Sequence, residues 1–213
     1  MSTDTNTSAA APISLTKKVA AGEKISLTKS HPGLSLISMG LGWNPRRTDG
    51  KKFDLDAACM MVGADGKLAS PADLVCYIDG MQAHASGAVT FSGDNKDGSG
   101  DGDDESYVLD LAKVPDHIVK LVFTASIYAA RQRNQNFGMV DGAYARVVDT
   151  TNGAELYRFD LSEDASTNSA VILVRLYRHN GEWKLEGVGQ GFDGGFKRLC
   201  AEHGLEVEEE VDE

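Results

Sequence analysis

The chain has 213 residues, 41% of them hydrophobic, and a formal net charge of −11. That length can bury a substantial core, the acidic balance argues against binding a nucleic-acid backbone, and no apolar run approaches the ~20 residues that cross a bilayer as a helix. The opening MSTDTNTSAAAP lacks a basic region and a long apolar stretch, and Cys59, Cys76 and Cys200 are too few and too scattered for a disulfide framework, so a cytoplasmic protein with buried free thiols is expected.

Residues 1–12 are small and polar and read as a disordered tail. ISLTK then occurs twice, at 13–17 and 25–29, around KVAAGE with its Gly22. Each copy alternates apolar and polar residues as a half-buried strand does, so the two are expected to form a hairpin or neighbouring strands. Residues 34–39 predict a strand that ends in a Gly-rich corner, GLGW, at 40–43. FDLDA at 53–57 alternates strictly and runs into the apolar 59–62, followed by a turn at 63–66. Further strands are predicted at 74–78, 89–91, 106–111, 142–148, 156–161, 170–177 and 183–189, with the long apolar run 118–127 as a central strand. Short helices fit 129–135 and 196–203. The pattern predicts an all-β fold, a β-sandwich of two mainly antiparallel sheets with short peripheral helices. The folded domain is placed at 13–204, and the acidic stretch 205–213 is read as a tail.

The densest chemistry lies in DNKDGSGDGDDE, residues 94–105, where six of twelve side chains are carboxylates: Asp94, Asp97, Asp101, Asp103, Asp104 and Glu105. Two like charges ~4 Å apart repel by ~1 kcal/mol in water and ~4 kcal/mol at an effective dielectric of 20, so such a loop folds best around a counter-ion. Oxygen donors with no His or Cys nearby favour a hard divalent cation, and Ca²⁺ over Mg²⁺ because it accepts irregularly placed oxygens. Asp54 and Asp56 leave one face of a predicted strand about 7 Å apart at their roots, within reach of a single ion. The loop is not an EF-hand: counted from Asp97, the twelfth position is Val108 instead of a bidentate Glu.

Catalytic motifs are thin. His31, His84, His117, His179 and His203 are dispersed, with no HExxH and no nucleophile elbow. GVGQGFDGG at 187–195 lacks the Lys-Ser/Thr of a phosphate-binding loop and reads as a tight turn with a packing role. The expectation is a protein that is not an enzyme.

Taken together, ISLTK…GEKISLTK, GLGW, FDLDAA, SGDNKDGSGDGDDE, VLDLAKVP, NFGMVDGAYARV, LYRFDLSEDAS and LYRHNGEWKLEGVGQGFDGG, in that order, resemble the tellurium-resistance TerD family over about residues 13–199. The resemblance implies a Ca²⁺-binding β-sandwich of bacterial stress-resistance clusters, non-enzymatic, working with other proteins of a resistance complex near the inner membrane face. It implies a ligand set of Asp54, Asp56, Asp94, Asn95, Asp101, Asp103, Asp104 and Glu105, with Asp160, Glu163 and Asp164 in second rank. Asn44, where the family usually carries Asp, removes one carboxylate. A Ca²⁺-dependent carbohydrate- or lipid-head-group-binding sandwich is the alternative.

Overall fold

Alternating strands give each sheet one apolar face, and stacking two sheets buries both. A computed structural model of the chain describes residues 16–45, 53–93, 102–161 and 167–208. The first sheet holds β1 (Lys17–Lys18), β3 (Leu36–Pro45), β6 (Val89–Phe91), β7 (Glu105–Asp110), β9 (Val140–Asp149) and β10 (Ala154–Asp160), in the order β1-β10-β9-β3-β7-β6. The second holds β2 (Lys24–Ser26), β4 (Leu55–Val62), β5 (Leu74–Cys76), β8 (Lys120–Ile127), β11 (Ala170–His179) and β12 (Glu182–Phe192), in the order β2-β12-β11-β8-β4-β5. Among the described residues every strand pair is antiparallel except β1 with β10.

The two inner faces meet in one core. Ile37, Met39 and Leu41 of β3 and Tyr107 and Leu109 of β7 pack with Leu55, Ala57, Cys59 and Met61 of β4 and Leu121, Phe123 and Ala125 of β8. The long run that predicted a central strand is β8, between β11 and β4. β4 is buried at all eight positions because its other face, Ala58, Met60 and Val62, lies beneath Phe196, Leu199 and Cys200 of a helix, α3 (Gly195–Glu202). A strand covered on both sides needs apolar residues on both, which is the physical reason for the unbroken 57–62 run. Leu205 and Val207 also rest on this smaller cluster, while Glu206 and Glu208, which alternate with them, are exposed.

Four local readings change in the structure. The ISLTK copies do not pair with each other. Lys17 at the end of the first copy lies in β1 on the edge of the first sheet, while the second copy starts in β2 on the edge of the second. The Gly22 turn carries the chain from one sheet to the other, and Gly22 N–H donates to Gly187 O on the way (2.8 Å). Beyond β2, Ser26 caps a single helical turn, α1 (Leu27–Ser30), by accepting from Lys29 N–H, which turns Leu27 into the core. GLGW is not a corner: β3 runs through it to Pro45. The glycines of 187–191 lie within β12, where Gly187 leaves room for Ala20 O, 2.5 Å from where a Cβ would stand. Of the predicted 129–135 helix, one turn forms, α2 (Ala130–Arg133), between Ala129 and Asn134 in left-handed conformations.

Candidate metal centre

Four of the proposed donors, Asp54, Asp56, Asp104 and Glu105, lie at the starts of β4 and β7. Asp54 stands just before β4, its carbonyl accepting Tyr128 N–H at 2.8 Å. Asp56 lies on β4 opposite Ser126 of β8 and is 5% exposed. Glu105 opens β7, faces inward with Tyr107 and Leu109, and is 2% exposed. Its Oε2 accepts Ala57 N–H at 2.7 Å. The need for that acceptor follows from strand lengths: β5 ends at Cys76, opposite Ala58, so Ala57 lies one residue past the edge strand. A carboxylate from the first sheet thus finishes the hydrogen bonding of the second. Asp104 is stitched to β3, with Trp43 N–H donating to its Oδ2 and its own N–H donating to Leu41 O, both at 2.8 Å.

Burying carboxylates is costly unless opposite charge or hydrogen bonds compensate. Tyr107 reports the local field. Burial first, and then the negative charges of Glu105 and Asp56 among its neighbours, hold its phenol pKa well above the ordinary range. The Tyr107 hydroxyl donates to Val75 O at 3.4 Å.

Asp103 takes another direction. It lies against Gly40, on the face of the first sheet away from Met39 and Leu41, where Arg146 of β9 grips it: Nε–Oδ1 2.7 Å and Nη2–Oδ2 3.0 Å. Tyr144 Oη sits 3.0 Å from Asp103 Oδ1 and 2.7 Å from Gly102 O. Asp160 belongs to the same outer face. Burial would raise its pKa, but hydrogen bonds from Lys18 (2.6 Å) and Arg158 (2.7 Å) hold it below the usual carboxylate value.

Asp94, Asn95, Asp97, Asp101, Glu163 and Asp164 lie outside the described residues. Among the described residues, no three His, Cys, Asp or Glu side chains converge closely enough to hold an ion. Asp54, Asp56, Asp104 and Glu105 offer only carboxylate oxygens, two of them on deeply buried side chains, and that donor chemistry suits Ca²⁺.

Two arrangements escape sequence reasoning. Tyr144 and Arg146 share a strand face by alternation, but their meeting with Asp103 depends on strand order. His84 is linked to Ser86 Oγ through Nδ1 (2.7 Å) and to Asp73 through Nε2 (3.3 Å). Ser86 Oγ also accepts Ala88 N–H, so this chain braces the loop before β6 against the one-turn helix at Pro71–Asp73.

The family model described as the TerD domain matches residues 15–203. The chain belongs to the TerD family. It is 44% identical to tellurium resistance protein TerD of Serratia marcescens over 184 residues, covering 86% of this chain and 95% of that protein. It is also 44% identical to general stress protein 16U of Bacillus subtilis (strain 168), over 91% of this chain and all of that protein. A crystal structure of a TerD homologue from Streptomyces coelicolor A3(2) superposes with a TM-score of 0.64 at 19% identity, covering 79% of this chain and 96% of that one, and shares the fold. The matched TerD region takes in both six-stranded sheets and α3.

Proposed function

We propose that this TerD-family protein is a non-enzymatic, Ca²⁺-dependent stress-resistance module. The ion would be held by Asp54, Asp56, Asp104 and Glu105 together with Asp94, Asn95 and Asp101 of the acidic loop, and the ordered loop would present a surface to other proteins of a resistance complex. The observation that carries the reading is the burial of Asp56 and Glu105, one from each sheet, beside the stem of the most acidic loop in the chain. The ion would neutralise carboxylate repulsion and tie the two sheets together at that end. The Glu105–Ala57 and Asp104–Trp43 hydrogen bonds, which set the stem against both sheets, support this reading. The names of the relatives support the biological setting, since they are tellurium-resistance and stress proteins.

Calorimetric titration of chelator-treated protein with Ca²⁺, with Mg²⁺ as control, tests the proposal. Ca²⁺ at a hundredfold excess over Kd is expected to stabilise the fold by about 2.7 kcal/mol, and an Asp56→Asn/Asp104→Asn variant should lose both the heat and the stabilisation. No Ca²⁺ heat and an unchanged melting temperature would refute it.

A further inference from the structure

We infer that Asp103 is the anchor of the calcium loop and not one of its ligands. This rests on the calcium reading above and assigns a positioning role to Arg146 and Tyr144. Each Asp103 oxygen accepts a hydrogen bond from the Arg146 guanidinium, a two-point grip that orients the carboxylate toward β9. Arg146 is fixed in turn by Glu155, Nη1–Oε2 2.8 Å. Tyr144 Oη reaches both the Asp103 carboxylate and the Gly102 carbonyl, so side chain and backbone are held at one place. The Arg158 guanidinium stacks over the Tyr144 ring at 3.6 Å and is tied to Asp160, which Lys18 also holds. The anchor is therefore built on β9, β10 and β1, three paired strands.

Geometry separates anchor from ligands. Glu105 enters the interior between the sheets, whereas Asp103 lies on the outer face of the first sheet, with the sheet between them. The sequence of β3 makes room for this. A Cβ at Gly40 would stand 2.0 Å from Asp103 Oδ2, and one at Gly42 would stand 2.4 Å from the Tyr144 ring. GLGW is thus a flat bed on which the anchor lies. Fixing the stem before the ion arrives means that less ordering is left for the binding step.

Ca²⁺ titration of chelator-treated wild type, Arg146→Met, Asp103→Ala and the double variant tests the assignment, with melting in chelator as a second readout. An anchor predicts that both single variants weaken Ca²⁺ binding by a similar factor, about tenfold to a hundredfold as for other outer-shell partners of metal ligands. The double variant should be no weaker than either, and both singles should melt lower without calcium. Tyr144→Phe, which keeps the ion pair, should show a smaller loss of the same kind and guards against misfolding of the charge variants. If Asp103 is a ligand, Arg146→Met frees a carboxylate, and its calcium affinity stays equal to wild type or rises; that result overturns the anchor alone. Wild type without Ca²⁺ heat overturns the calcium reading and, with it, this assignment.

Discussion

Adding one methyl group at Gly40 should cost the protein its Asp103–Arg146 contact. A Cβ there would lie 2.0, 2.2 and 2.5 Å from the three carboxylate atoms of Asp103, all far inside van der Waals contact. The carboxylate must move by more than an ångström, and hydrogen bonds of 2.7, 3.0 and 3.0 Å to Arg146 and Tyr144 cannot survive that shift. The pair is partly shielded, with side chains 16% and 27% exposed. Hydrogen bonds to charged groups contribute about 1.5–3 kcal/mol each, but Arg146 keeps Glu155 and water recovers part of the rest, so the expected loss is about 2 kcal/mol. For a chain of this length that corresponds to roughly 4–8 °C in melting temperature. The sign is diagnostic, because Gly→Ala in unstrained backbone normally stabilises by about 0.4–1 kcal/mol through the unfolded state. Thermal melts in chelator of wild type, Gly40→Ala, Arg146→Met and the double variant decide the matter. Both single changes destroy the same contact, so the double variant should melt close to Arg146→Met. A Gly40→Ala protein as stable as wild type, or fully additive losses in the double variant, would refute the reasoning.

Phe123 is fully buried between the sheets and packs edge-on to Tyr107; Phe123→Ala should lower stability by about 3–5 kcal/mol in denaturant melts, as core aromatic truncations do. Burial lowers the His203 pKa below its ordinary value, against the opposing effect of its Nδ1–H bond to Leu199 O. Above pH ~6.5 the ring is neutral in both states; as pH falls through that value the unfolded chain takes up a proton that the folded ring resists, so stability declines. Melting temperatures measured from pH 7.5 to 5.5 should accordingly fall less steeply in His203→Gln than in wild type, and parallel slopes would exclude His203 as a cause. Cys59, Cys76 and Cys200 are all buried thiols outside any disulfide, and burial pushes the Cys59 thiol far up. All three should resist a thiol reagent in the native protein and react in denaturant, and rapid native labelling of any one would contradict its placement.

Much of this molecule is local and can be read directly from the chain. Strict alternation in 53–57 and 106–111 and the apolar run 118–127 announce strands because a side-chain period of two needs no knowledge of the partner strand. The acidic loop announces a cation because its charges repel wherever the loop is placed. Pairing is not local. The same ISLTK pentapeptide contributes to an edge strand of the first sheet in one copy, and in the other to an edge strand of the second sheet and a helical turn. Nothing within five residues can distinguish those outcomes, because neighbours supplied by β10 and β12 decide them. Asp103, Asp104 and Glu105 are consecutive acids in sequence, alike in charge and reach. Only the stacking of two sheets sends Glu105 inward to the unfinished edge of β4, Asp104 to the backbone of β3, and Asp103 outward over a glycine to Arg146.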